Sequence, residues 1–337
     1  MTIDAIKPGL LTTLQDAGRP GFAHLGVGRS GAFDAPALRI ANALCGNLAD
    51  ACGLEITLRG PTLRFNTDAL VAVTGAPLPV TVDGRDAPMW APVPVRAGAT
   101  LALGALRGGC RSYLAVRGGI DVQPVLGSRS VDVNAALGPL DGRALRAGDR
   151  LPVAATEAGL KYTATLPKWR VDPRPWFDDD TAQPLRMMRG AHFEHLTETS
   201  RNELFLHAFD VAPESNRVGI RLAGPTLEWQ APLEMISEGC VPGLLQLPPS
   251  GQPIAFGPEC PVSGGYPRIG HIAAVDLPRL AQCRPGDAVR FRACTLAEAM
   301  DALHIRAQSL TRLEAMIRRR VTDDFGFDHD ETGATPE

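Results

Sequence analysis

The sequence holds only three lysines, at 7, 161 and 168, and none follows a glycine, so a Walker A phosphate loop is excluded. No uninterrupted apolar run approaches the roughly 20 residues that span a bilayer, so no transmembrane helix is expected. Lys7 and Pro8 stand where the apolar stretch of a secretory signal would lie, and no such signal is expected. The seven cysteines (45, 52, 110, 240, 260, 283, 294) contain no Cys-x-x-Cys pair. That pattern and the odd number point to free, mostly buried thiols and a reducing, cytoplasmic setting. Gly-x-Ser-x-Gly is missing, because Gly28-Arg-Ser-Gly31 is one residue too tight, so an esterase nucleophile elbow is not expected. A charge excess is missing too: 34 Lys and Arg face 37 Asp and Glu, and six of those acids fall among the last sixteen residues. The weak, scattered positive excess of the remainder excludes a nucleic-acid footprint.

Turn-forming residues, in contrast, are abundant. Gly 35 and Pro 29 are spread along most of the chain. Between them lie short apolar runs: Leu70–Thr74, Thr100–Leu103, Ser112–Val116, Ile254–Phe256, Ile272–Val275 and Ala288–Phe291. Runs of this length bounded by turn residues predict the strands of a β-barrel or sandwich. A composition of 45% hydrophobic and 21% charged residues supplies a sizeable core. Two helices are predicted. One spans Asp34–Cys45, with Asp34 as N-cap and Gly46 past its end. The other spans Leu296–Arg320, opened by a Thr295/Glu298 capping box, with Leu296, Met300, Leu303, Leu310, Leu313 and Ile317 on one face.

An internal echo divides the chain. Leu58-Arg-Gly-Pro-Thr-Leu63 returns as Leu222-Ala-Gly-Pro-Thr-Leu227, and Arg146-Ala-Gly-Asp149 returns as Arg284-Pro-Gly-Asp287. Two matches in the same order favour duplication of one β-unit, each with a Gly-Pro turn entering a strand and an Arg-x-Gly-Asp turn near its end. The expected organisation is an N-terminal β-barrel subdomain over 1–153 and a connector over 154–181. A second barrel subdomain over 182–294, a helix over 295–321 and an acidic, disordered tail over 322–337 follow. The connector, rich in Pro, Trp and Asp, reads as a wrapping linker and not as a core element.

Gly26-Val-Gly-Arg-Ser-Gly31 matches the dinucleotide fingerprint in letters, but the preceding Arg19–Leu25 is turn-like and half polar, where a buried parallel strand is required. His192-Phe-Glu-His195 could present two imidazoles to a metal, yet no third ligand is apparent, and no metal site is assigned. Three polar clusters remain. Gln15, Asp16 and Arg19 lie in the stretch Thr13–Gly21, which lacks apolar periodicity. Ser215-Asn-Arg-Val-Gly219 places an amide beside a guanidinium, a pairing suited to a carboxylate, amide or phosphate ligand. Val262-Ser-Gly-Gly-Tyr-Pro-Arg268 carries tandem glycines whose backbone N–H groups could approach an anion or carbonyl. The alternative for each is a β-turn with internally satisfied polar groups.

With Gly53-Leu-Glu-Ile-Thr57, Gly118-Gly-Ile-Asp121, Leu126-Gly-Ser-Arg-Ser130, Ser237-Glu-Gly239 and Gln246–Pro253, these clusters resemble the KipA / allophanate hydrolase subunit 2 family, also called the biotin-dependent carboxyltransferase family. Its stand-alone members include one component of 5-oxoprolinase. The resemblance runs from Ile3 to Arg292. It implies a mainly β chain of two related cyclophilin-like β-barrel subdomains with a few peripheral helices. It also implies two partners, a KipI-like subunit and a LamB/YcsF-like one. ATP, with Mg, would be used at the level of the complex to open 5-oxoproline to glutamate. In that setting Asn216 would meet the amide or carbonyl, and Arg217 a carboxylate or developing phosphoryl charge. Gly264 and Gly265 would cradle an oxyanion, with Tyr266, Ser215, Gln15, Asp16 and Arg19 completing substrate binding. A variant is carboxyl transfer from carboxybiotin to a urea-like amide. Biotin would then come from another chain, since no Met-Lys-Met segment occurs. A third reading is a non-catalytic binder of a KipI-like kinase inhibitor. In many members Asp-x-Gln-Thr-Thr-Gly-Gly-Tyr-Pro stands where this chain has Glu259-Cys-Pro-Val-Ser-Gly-Gly-Tyr-Pro267.

Overall fold

Strands dominate the computed structural model, which describes residues 1–155, 167–177, 183–233 and 235–326. The chain divides into two compact units. The first gathers Met1–Gly18, Ala35–Phe177 and the residues from Ser309 on; the second gathers Arg19–Asp34 and Asp178–Gln308.

The first unit has two antiparallel sheets. One is ordered Arg150–Pro152, Thr2–Lys7, Thr62–Phe65, Thr100–Leu103, Val80–Val82, Arg85–Asp86, and the other Leu11–Gln15, Gly53–Thr57, Arg111–Val116, Ala69–Gly75, Pro92–Val95. Ala69–Gly75 and Arg111–Val116 are buried along their whole length, which is why they read as continuous apolar runs and not as alternating ones. Ile3, Phe65 and Leu101 of the first sheet pack with Leu54, Val73 and Leu114 of the second in one core. A separate cluster joins Ile40 and Leu44 of the helix Ala35–Leu44 to Leu70, Ala72 and Ala115.

The second unit is built on one eight-stranded sheet. Its order is Ala288–Val289, Phe209–Val211, Gly219–Ala223, Ile254–Phe256, Leu244–Gln246, Arg268–Ile272, Leu185–Arg189, Phe291–Ala293. The two edge strands are separated in sequence by Arg290 alone, so the sheet returns on itself as a nearly closed barrel and leaves little unpaired edge. Phe209, Phe291, Ile220, Leu245, Ile269 and Met187 fill it. A two-stranded ribbon, Glu238–Gly239 against Ser263–Gly264, stands beside the barrel sheet.

The Arg-x-Gly-Asp echo is a real structural repeat. Asp149 Oδ2 accepts the Arg146 N–H at 2.7 Å, and Asp287 Oδ2 accepts the Arg284 N–H at 2.8 Å. Gly148 and Gly286 sit at φ +89° and +88°, a region glycine enters without a Cβ penalty. Each turn then pairs both ways with one strand residue, Ala5 in the first unit and Val211 in the second. Arg143 clamps Asp149 bidentately at 2.7 and 2.8 Å and, with the Arg146 N–H, holds its carboxyl below the ordinary range. A lowered carboxyl stabilises the fold above its unfolded pKa and loses that contribution as pH falls through the folded value. Asp149→Asn is therefore expected to cost about 1 kcal/mol at neutral pH. The gap to the parent should close on acidification below the carboxylate range, as read by denaturant midpoints across pH.

The Gly-Pro echo differs from expectation. In the first unit it enters the strand Thr62–Phe65, but in the second it follows the strand Gly219–Ala223 and no strand begins at Leu227. The shared requirement is close packing: a Cβ on Gly60 would lie 2.3 Å from Leu103 Cβ, and one on Gly224 2.6 Å from the Phe209 ring.

The C-terminal helix spans Leu296–Phe325, so it continues past the expected end into part of the tail. Phe325 is buried, and Asp324 Oδ2 accepts the Trp169 indole N–H at 2.6 Å. Residues 327–337 of the tail lie outside the described residues. The predicted apolar face is split. Leu310 and Ile317 are buried with the first unit, joined by Val321 beyond the predicted end, whereas Leu296, Met300 and Leu303 stand exposed. The connector also departs from a simple linker, since Val171 and Trp176 are buried in the same cluster as the helix Ala35–Leu44. Residues 156–166 and 178–182 of it are outside the described set. All seven cysteines are free, with Cys294 alone half-buried and the rest buried. No helix among the described residues is long and apolar enough to cross a membrane.

Candidate functional site

The Ser215–Gly219 segment is a tight turn leading into the barrel strand Gly219–Ala223. Asn216 is exposed at its tip, and its Oδ1 accepts the N–H groups of Val218 at 2.8 Å and Gly219 at 3.4 Å. This is the Asx geometry that short amides adopt at turns. It commits the side-chain oxygen and leaves Nδ2 as the group Asn216 can offer. Ser215 Oγ accepts the Arg221 N–H at 3.0 Å, fastening the turn to the strand.

Arg217 does something other than face a ligand. Its side chain is 4% exposed and its partner Glu259 is 0% exposed; Nε donates to Glu259 Oε1, and a terminal nitrogen donates to the Gly31 carbonyl at 2.7 Å. The Arg217 carbonyl in turn accepts the Glu259 N–H at 3.1 Å. The guanidinium charge is thus neutralised in the interior, and Arg217 holds the base of the Asn216 turn. The sequence could not reveal this, since Glu259 is distant in the chain and carries no local mark.

Contacts connect that turn to the tandem glycines. Gly219 is in register with Phe256, Phe256 shares a buried cluster with Cys240 and Cys260, and a Cβ on Gly264 would lie 3.1 Å from Cys240 Sγ. The Cys240 N–H donates to the Val262 carbonyl at 3.0 Å, so ladder alternation makes Glu238–Gly264 a hydrogen-bonded pair and engages the Gly264 N–H. Gly265 lies past the ladder, exposed, followed by the 47%-exposed Tyr266. Of the two glycines, Gly265 is the one with a backbone donor to present. Gly264 is there for space: its Cβ would also lie 2.9 Å from Gln246 Nε2, whereas a Cβ on Gly265 meets nothing nearer than Ser237 Oγ at 3.6 Å. Gly264→Ala should cost about 1 kcal/mol by overpacking while Gly265→Ala is near neutral, a contrast that thermal melts would read.

The surroundings are electrically quiet. Arg268 pairs with Glu238, and the Arg268 N–H donates to His192 Nδ1 at 3.1 Å. Burial, with the Arg268 charge second, holds the His192 pKa low, so the ring is neutral near pH 7. Burial raises the Cys240 thiol and pushes Cys260 up to about 12, which removes both as thiolate nucleophiles. The exposed polar groups of these two segments are neutral donors: the Asn216 amide, the Gly265 N–H and the Tyr266 phenol.

The remaining candidates, Gln15, Asp16 and Arg19, are buried in internal contacts. Gln15, in the first unit, is fully buried and donates to the Val131 carbonyl at 2.9 Å and Thr13 Oγ1 at 3.1 Å. Asp16 is a hub for the Leu126–Ser130 loop. Its carboxylate accepts from Ser128 Oγ at 2.6 Å, Ser130 Oγ at 2.5 Å, the Arg129 N–H at 2.5 Å and the Gly18 N–H at 2.8 Å. Arg19 groups with the second unit, is 1% exposed, and donates its N–H to the Arg29 carbonyl at 2.8 Å. The glycine-rich 26–31 stretch follows the short 3-10 turn Ala23–Leu25 and not a strand, and Gly31 serves as the acceptor for Arg217. His192 and His195 have ring centroids 6.2 Å apart, and no group of three or more metal-ligating side chains occurs among the described residues.

A mainly β fold of this topology, carrying an amide-tipped turn and a glycine ribbon on its second barrel, is that of a carboxyltransferase domain. The family model for the carboxyltransferase domain, subdomains A and B, matches residues 25–293, and the chain belongs to that family. It is 40% identical over 299 residues to the C component of the Escherichia coli 5-oxoprolinase, covering 88% of this chain and 93% of that protein. The C component of the Haemophilus influenzae 5-oxoprolinase is 34% identical over 327 residues, covering 96% and 99%. The crystal structure of Kluyveromyces lactis urea carboxylase superposes with a TM-score of 0.84 at 28% identity, over 93% of this chain and 29% of that one.

Proposed function

We propose that this chain is the C component of an ATP-dependent 5-oxoprolinase, a hydrolase that opens 5-oxo-L-proline to L-glutamate and works only as part of a complex. The observation that carries the reading is the nearly full-length likeness, at 40% identity, to the corresponding component of the E. coli 5-oxoprolinase. The partners are a KipI-like subunit (the B component) and a LamB/YcsF-like subunit (the A component), and the setting is the cytoplasm.

The chemistry of the second unit supports a lactam ligand. A lactam carbonyl accepts two hydrogen bonds and gains negative charge as its carbon is attacked, so fixed neutral donors aimed at it stabilise that change. Asn216 Nδ2 and the Gly265 N–H are the donors assigned to it, Tyr266 flanks them, and Ser215 and Arg217 hold the turn. The same residues do not fit a triphosphate: Arg217 is neutralised by Glu259 and Arg268 by Glu238. ATP, with Mg, is therefore assigned to the complex and not to this site.

The likeness to urea carboxylase favours a second reading, carboxyl transfer from carboxybiotin to a urea-like amide, in which the same donors would hold the amide carbonyl. Co-expression with the two partner subunits decides between them. The first reading expects ADP release that depends on 5-oxoproline; carboxylation of urea on addition of a biotin carboxylase, a biotinylated carrier, ATP and bicarbonate supports the second. A tight complex with neither activity would leave a non-catalytic binder of the KipI-like partner.

A further inference from the structure

We infer that the first unit carries a separate binding site, an anion cleft for a phosphate-bearing small molecule. This inference does not rest on the role given to Asn216. Three backbone segments meet there, Lys7–Gly9 at the end of the first strand, Arg59–Thr62, and Leu103–Ala105, and they line a cleft of about 560 Å³. That volume lies inside the range of roughly 300–1,000 Å³ typical of small-molecule sites. The lining holds two cations, Lys7 and Arg59, and no Asp or Glu. Both cations are exposed, and neither meets a carboxylate among the described residues.

The walls are peptide packed on peptide. A Cβ on Gly9 would lie 2.5 Å from the Arg59 carbonyl oxygen, and Gly9 sits at φ +80°. With glycine required at 9 and at 60, backbone rather than side chains forms this surface, the arrangement that lets N–H groups approach an anion. The N–H groups of Gly9 and Ala105 donate to no protein carbonyl among the described residues.

Strain places one of the cations. Leu58 is held at φ +60°, and the Arg59 N–H reaches back to the Thr57 carbonyl at 2.7 Å, closing a three-residue turn of the rare hand. A bulky residue keeps such a conformation only where its surroundings over-determine it, a situation concentrated at ligand sites. The second copy of this motif has Ala223 where Arg59 stands, and Leu222 is not at positive φ. The cation and the positive φ thus belong to the first copy alone. An Arg fork, a Lys point charge, the Thr62 hydroxyl and free backbone donors around one concavity match the several oxygens and multiple charge of a phosphate better than a lone carboxylate.

Calorimetric titration of the full chain at low salt tests this with inorganic phosphate, ADP, ATP and, as a control, malonate. Saturable binding of ATP or ADP, weakened at least tenfold by Lys7→Gln with Arg59→Gln, is the expected result. Equal binding of inorganic phosphate would name the free ion as the ligand and still support the cleft. Both positions are exposed, so the melting temperature should stay unchanged. Asn216→Asp should bind like the parent, which keeps this test separate from the site on the second unit. No saturation by any phosphate at millimolar concentration, an unaltered affinity in the double variant, or malonate binding as tightly as the phosphates would each overturn the inference.

Discussion

Arg217→Ala is expected to destabilise the second unit by about 3–5 kcal/mol, because it strands a buried, ionised Glu259. The carboxylate is 0% exposed, and the deleted guanidinium is also the donor to the Gly31 carbonyl, so a second buried group loses its partner. The size of the effect comes from stranding one charge and not from the net worth of the pair. Arg217→Met with Glu259→Leu should therefore recover most of the loss, since an apolar pair of similar volume removes the desolvation penalty on both sides. Urea denaturation of the full chain followed by circular dichroism reads both variants. A single variant within about 1 kcal/mol of the parent would show the pair to be solvated, and with it the reading of Arg217 as a buried support would go.

Features encoded by neighbouring residues were legible in the sequence. The Thr295/Glu298 capping box is present: Glu298 Oε2 accepts the Thr295 N–H at 2.7 Å, and Thr295 Oγ1 accepts the Glu298 N–H at 3.2 Å. The Arg-x-Gly-Asp turns were legible because an aspartate three residues on from the arginine N–H and a left-handed glycine define such a turn locally. The family was legible from dispersed motifs in order. Features made by distant pairs were not. Residues 19–34 belong with the second unit through Gly31 to Arg217, Ser30 to Pro258 and Asp34 to Gln282, pairs that no window of the sequence contains. Arg217 reads as a ligand-binding cation until Glu259 is seen to neutralise it. Trp176 reads as part of a linker because its stretch lacks period, yet one buried aromatic is enough to fasten an irregular segment to a core. The glycines show the same limit: tandem residues in sequence look alike, and only the ladder separates Gly264, needed for space, from Gly265, left with a donor.

Asn216→Asp is expected to lower 5-oxoproline-dependent ADP release by the assembled complex by about 2 kcal/mol or more in transition-state terms, the loss of one oxyanion-type donor. That corresponds to roughly a 30-fold drop in rate. The substitution separates two roles that alanine would confuse. Aspartate keeps the Oδ1 acceptor that takes the Val218 and Gly219 N–H groups, so the turn and the chain's melting temperature should be retained. It removes Nδ2, the donor assigned to the lactam carbonyl, and places a negative charge where negative charge would develop. Asn216→Ala deletes both, so it should lose activity to a comparable degree and some stability as well. If Asn216→Asp complexes turn over like the parent while Asn216→Ala complexes do not, the side chain matters only as a turn cap. The donor would then have to come from the Gly265 N–H, from Tyr266, or from the partner subunits. A loss confined to the Michaelis constant would place the amide in ground-state binding; a loss in turnover number at saturating 5-oxoproline would place it on the reacting carbonyl.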